Sequence, residues 1–145
     1  MKKQLNPLFI LFFFLITAFQ SAYAENDPVT LSWKGTVKVP GLNKNPVAIP
    51  TFSGANIDYK ARLPLYSLRL TNVNAGEFSL KNPVYAPFTS EEAKFLPKDQ
   101  LKSSPEIKIA RGTANGKPTS IITFAPIRQN PQTGQPEKLT QFEYT

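Results

Sequence analysis

The last forty residues, "EIKIARGTANGKPTSIITFAPIRQNPQTGQPEKLTQFEYT", constrain the fold more than any other stretch. They hold three runs that alternate apolar and polar residues, Glu106 to Arg111, Thr119 to Ile127 and Lys138 to Tyr144. Alternation with period two is the mark of a strand that buries one face. Asn115-Gly116 separates the first two runs, and both residues tolerate the positive φ that a tight hairpin needs. Asn130 to Pro136, with two prolines and Gly134, separates the last two. The pattern predicts an antiparallel meander.

Upstream segments extend the same reading. Val29, Leu31 and Trp33, then Val37 and Val39 beyond Gly35, predict one strand over Val29 to Val39. Gly41 to Gly54 holds two prolines and little periodicity, and reads as a loop ending in Phe52-Ser53-Gly54-Ala55. In "LPLYSLRLTNV", Tyr66, Leu68 and Leu70 share one face and Leu65, Ser67 and Arg69 the other. A third strand runs from Gly76 towards Tyr85, where Pro83 lacks a ladder donor and predicts an edge position or a bulge. Thr89-Ser90-Glu91-Glu92 matches a capping box, which opens a short helix that Pro97 ends. The fold class expected is all-β, an antiparallel β-sandwich-like domain with one short helix. Phe78, Phe124, Phe142, Tyr144, Leu68 and Ile122 are its expected interior, and Trp33 reads as core rather than as a sugar platform.

A signal-peptide helix is expected over residues 1–24: Lys2 and Lys3, a nearly all-apolar run from Leu8 to Phe19, and the exit Ala22-Tyr23-Ala24. Cleavage between Ala24 and Glu25 leaves 121 residues, 25–145, enough for one domain without a metal or disulfide. The apolar run is too short to span a bilayer, which takes about 20 residues. The mature chain has 15 basic and 10 acidic residues, dispersed, with no run of three basic ones. That argues against nucleic acid as a partner, and leaves membrane association to be indirect, through other proteins.

The whole sequence has no cysteine and no histidine. A thiol nucleophile, a lipid-bearing cysteine and the usual neutral-pH base are therefore excluded. Asp27, Asp58 and Asp99 lie far apart with no calcium-loop pattern, so no metal site and no cofactor are expected. Gly112 to Lys117 falls short of a phosphate-binding loop, because Pro118 and a strand follow it instead of a helix. Ser103, Ser104 and Ser120 have lysines nearby in the chain, the one arrangement from which Ser-Lys chemistry could be built. "NPQTG" looks like a sortase cleavage signal, yet only eleven residues follow Gly134 and they alternate like a strand. We read it as a turn. No catalytic residue is expected in this chain.

In "FSGA" (Phe52 to Ala55), "LPLYSLRL" (Leu63 to Leu70), "NPVYAPFTSEE" (Asn82 to Glu92) and "FAPIRQNPQTGQPEKLTQFEY" (Phe124 to Tyr144), the chain resembles the N-terminal region of the PorU family. These are type IX secretion system sortases of Bacteroidetes, gingipain-like cysteine peptidases. The resemblance implies an exported protein of the periplasm or outer-membrane surface whose full length processes C-terminal sorting domains. The family's catalytic cysteine and histidine lie in a later domain. This chain would be the non-catalytic β-domain before it, a fragment ending inside the strand at Phe142 to Thr145. Its implied partners are that peptidase domain or secretion-system components. The alternative is a free-standing exported binding protein for a glycan or a protein.

Overall fold

The computed structural model describes residues 27–40 and 45–145. The residues expected to form the signal peptide, with Ala22, Ala24 and Glu25, lie outside that range. The described chain folds into antiparallel strands around an aromatic core, with one helical turn, as the alternation predicts.

One sheet is built on β10 (Pro136–Tyr144). The edge strand β6 (Leu80–Pro87) pairs along one side of β10, and β9 (Ile127–Gln129) and β1 (Val29–Thr30) pair with successive parts of the other. The second sheet runs β4 (Asn56–Asp58), β5 (Leu63–Thr71), β8 (Lys117–Phe124) and β7 (Lys108–Ala114). A two-stranded ribbon, β2 (Trp33–Pro40) with β3 (Pro46–Phe52), completes the set. Ile122 and Phe124 of β8 face Leu139 and Phe142 of β10, all within 2% of full burial, and Leu31, Phe52 and Phe78 close the cluster. The Phe124 and Phe142 rings meet edge to face at 5.7 Å, and Tyr66 stands 5.3 Å from each. Such pairs contribute about 0.5–1.5 kcal/mol beyond their buried area. Leu68 and Tyr144 pack on this cluster while half-buried.

The local signals at turns and caps are realised. Asn115 (φ 51°) and Gly116 (φ 72°) form the two-residue loop between Ala114 and Lys117. The Thr89 hydroxyl accepts the Glu92 amide at 3.2 Å and the Glu92 carboxylate accepts the Thr89 amide at 3.0 Å, capping the single turn α1 (Ser90–Ala93). A 3-10 turn, Lys98–Gln100, follows Pro97. β6 is an edge strand, and its register slips between Val84 and Lys81, around Asn82 (φ 47°) and Pro83. Asn82 Nδ2 donates to Glu143 Oε2 at 2.9 Å there. Pro83 thus brings both an edge and a bulge.

Three expectations are corrected. Pro46–Phe52, within the stretch expected to be a loop, is the strand β3. Pro46 and Pro50 share one parity and face Pro40 and Thr36, and a strand with one partner turns every second N–H outward, so neither proline removes a ladder bond. Val29 to Val39 is two strands in different sheets: Leu31-Ser32 breaks it, β1 joins β10 and β2 joins β3. Gly35 (φ 84°) supplies the extra residue of the bulge between Trp33 and Thr36. The meander is likewise divided. Thr119 to Ile127 ends its first strand at Phe124, and the fully buried Pro126 carries the chain to the other sheet. Its carbonyl accepts the Leu139 amide at 2.9 Å, so β8 neighbours β5 and β7 rather than β10.

Candidate interaction surface

The structure separates the serines considered for chemistry. Ser120 is fully buried: its hydroxyl donates to the Val73 carbonyl at 2.9 Å and accepts the Ala75 amide at 3.0 Å. It pins the segment after β5 onto β8. Removing it leaves a buried amide without a partner, so Ser120→Ala is expected to lose about 1–3 kcal/mol in urea denaturation. Ser103 and Ser104 are exposed. Ser104 borders a recess of about 170 Å³ with Lys102 and Lys108 on its rim and Leu63, Leu65, Leu101 and Phe124 in its wall. Lys102 ion-pairs with Glu106, and no hydrogen bond joins Ser104 to a lysine among the described residues. A serine nucleophile needs that bond to lose its proton.

Asp27 is exposed, and the other two aspartates serve turns. Asp58 Oδ1 accepts the amides of Lys60 (3.0 Å) and Ala61 (2.9 Å), and Asp99 sits in the 3-10 turn. No group of three metal-ligating side chains occurs among the described residues. Gly112 to Lys117 belongs to the β7–β8 hairpin. "NPQTG" closes a compact loop in which Asn130 Oδ1 accepts the Gln132 amide (2.8 Å) and the Thr133 amide (3.2 Å). Gly134 (φ 70°) donates its amide to the Asn130 carbonyl at 2.8 Å. The shape is that of a hairpin connection.

What the fold does assemble is a polar network over β9, β10, β6 and α1. Arg128 and Glu137, directly opposed on β9 and β10, form an ion pair at 2.8 Å, and Asn130 Nδ2 donates to the same carboxylate at 2.7 Å. The Arg128 guanidinium lies 3.6 Å above the Tyr85 ring. Next along β10, Lys138 reaches Glu92 on α1 at 3.2 Å, both side chains mostly buried. Lys138 Nζ also stands 5.3 Å from the Phe88 ring centre and 5.7 Å from that of Trp33. Trp33 is half-buried and joins the main core to a smaller one of Phe88, Leu96 and Ile127. Its indole N–H donates to the Leu139 carbonyl at 2.8 Å. The network therefore holds α1 and the β9–β10 hairpin as one rigid patch.

The carboxyls in this patch are tuned. For Glu137 the Asn130 hydrogen bond lowers the pKa most, burial opposes it, and Arg128 lowers it further, so the group is held below the ordinary range. For Glu92 burial is the largest single influence and raises it, but the Thr89 amide and Lys138 together outweigh burial, and the result is again lowered. Burial is the main cause that raises the Tyr85 hydroxyl, with Arg128 opposing. A carboxyl whose folded pKa lies below its unfolded value stabilises the fold above the unfolded pKa, about 4.3 for Glu, and loses that contribution as pH falls through the folded value. The thermal midpoint is therefore expected to hold from about pH 8 to 6 and to drop below about pH 4.5. The drop should be shallower in Glu92→Gln/Glu137→Gln.

The fold and patch define a β-sandwich-like domain that presents rigid polar and aromatic surface and carries no cysteine or histidine chemistry. No protein-family model matches the chain, and no curated protein matches it. Among solved structures, it is similar to a chain in the complex of the pro- and mature domains of RgpB from Porphyromonas gingivalis. The identity is 14%, the TM-score 0.52, and the match covers 81% of this chain and 75% of that one. A structure concerned with the zymogenic latency of gingipain K, from the same organism, matches at 14% identity and TM-score 0.47, over 75% of this chain and 77% of that one. At such identity the likeness to the RgpB complex is one of fold, and the fold is gingipain-like.

Proposed function

We propose that this chain is the non-catalytic N-terminal β-domain of a PorU-like type IX secretion sortase, exported after cleavage behind Ala24 and displayed in the periplasm or at the outer-membrane surface. It docks a cysteine peptidase domain or a secretion partner by surface contact. One combination carries the reading: a gingipain-like fold, seen in a complex of pro- and mature domains, on a sequence without cysteine or histidine. The four PorU-like segments support the same assignment. They fall at the β3–β4 turn, on β5, from β6 into α1, and along β8 to β10. Two of them supply the Glu92–Lys138 and Arg128–Glu137 pairs.

Docking of this kind draws its affinity from a few rigid, well-packed side chains rather than from total area. The Arg128–Tyr85 contact lies in the face offered to a partner, and the Lys138–Phe88–Trp33 contacts pack beneath it. Antibody recovery of the protein from its native host tests the assignment. A gingipain-like cysteine peptidase in the same polypeptide or the same complex is expected. Recovery as a lone mature chain that itself hydrolyses peptides would refute it.

A further inference from the structure

The second sheet ends on β7, and Pro118 decides which β7 groups face outward. Pro118 pairs with Thr113 but has no N–H, so the ladder bonds are exchanged at Ala114–Lys117, Gly112–Thr119, Ala110–Ile121 and Lys108–Thr123. The N–H and C=O groups of Ile109, Arg111 and Thr113 consequently point away from β8. Among the described residues none of these main-chain groups has a partner, because β7 pairs with β8 alone.

Other strands of this fold carry protection against further pairing. β6 has Pro83, Pro87 and the slip around Asn82, β3 has Pro46 and Pro50, β2 has the Gly35 bulge, and β4 has three residues. β7 has no proline, slip or bulge, and only its charges, Lys108 and Arg111, guard it. It runs seven residues in unbroken register, and a side chain added at Gly112 would meet nothing within 4 Å.

Charge selects the occupant. No Asp or Glu occurs from Ile107 to Pro136, and β5, β8 and β7 together carry Arg69, Lys108, Arg111 and Lys117 without a carboxylate; Glu106, just before β7, is paired with Lys102 and only adjoins Lys108. Arg111 is held by the carbonyls of Ala75 (2.6 Å) and Gly76 (2.7 Å), which leave its charge uncompensated. A second copy laid antiparallel on β7 and centred on the outward-facing Arg111 would set Arg111 against Arg111, which is destabilising.

We propose that β7 receives an extended acidic segment of the docked protein as an added strand. Its main chain pairs at Ile109, Arg111 and Thr113, and its carboxylates lie on the face of Lys108 and Lys117, which Arg111, on the opposite face, does not share. This rests on the docking reading for the partner's identity and adds the surface and its chemistry.

Amide exchange of the mature chain, followed by NMR with a short synthetic peptide alternating glutamate and valine, tests it. The amides of Ile109, Arg111 and Thr113 are expected to become protected, and a lysine-valine peptide is expected to leave them exposed. Thr113→Pro removes an outward donor without touching the β8 ladder, and should weaken the glutamate peptide about tenfold or more. Lys108→Glu/Lys117→Glu, which leaves the backbone alone, should shift preference to the lysine peptide. Three results overturn the proposal: no protection at saturating peptide, equal protection by dextran sulfate, or protection that grows with protein concentration alone. Binding to the peptidase tells the two readings apart. Full binding by Thr113→Pro removes the added strand and keeps docking, whereas no binding by the unaltered chain removes docking and leaves the peptide result to judge β7.

Discussion

Phe142→Ala is expected to destabilise the domain by about 3–5 kcal/mol, a large part of the 5–15 kcal/mol typical of a domain this size. The side chain is fully buried on the central strand β10, in edge-to-face contact with Tyr66 and Phe124 from the opposite sheet. Truncation removes apolar burial, both ring contacts and the link between the sheets, and leaves a cavity whose walls belong to two ladders that cannot both shift inward. Urea denaturation of the mature chain gives the number. Phe95→Ala, on an exposed ring after α1, should change stability by no more than about 0.5 kcal/mol. Equal losses in the two variants would mean that the sheets do not pack as described.

Lys138→Ala is the second large effect, with an expected loss of about 2–4 kcal/mol. The pair with Glu92 is part-buried, the side chains being 16% and 13% exposed. Without Lys138, the part-buried Glu92 carboxylate keeps only the α1 cap to hold it. Lys138→Met keeps the packing stem and Glu92→Gln keeps the capping function, so the double variant should cost much less than the sum of the two singles. Additive losses would show that the two side chains act independently. The same cycle gauges how firmly α1 is tied to β10.

Local features of this fold are legible in the sequence, while long-range ones are not. Asn115-Gly116, the Thr89 to Glu92 box and the Pro83 disruption each act through the backbone of a few adjacent residues, so composition reveals them directly. Tyr66, Phe124 and Phe142 are legible as interior because alternation assigns a face whatever the partner strand. Sheet membership is different. Whether β8 continues against β10 or crosses away from it depends on Pro126 and on the competing partner β5, more than fifty residues earlier. β3 was hidden because prolines 46 and 50 look like breakers until a single-sided pairing places their missing donors outward. Of the candidate surface, the sequence shows Glu92 only as a cap. Its second role, toward Lys138, has no local signal, and neither does the use of Ser120 to hold Val73 and Ala75.

The proposed docking is tested most directly by calorimetric titration of residues 25–145 into a gingipain-like cysteine peptidase domain from the native host. Saturable one-to-one binding is expected, with a negative heat-capacity change from apolar burial and no peptide cleavage by the titrated chain itself. Absence of heat and of complex at any concentration, or hydrolysis of peptide by the chain alone, would contradict it.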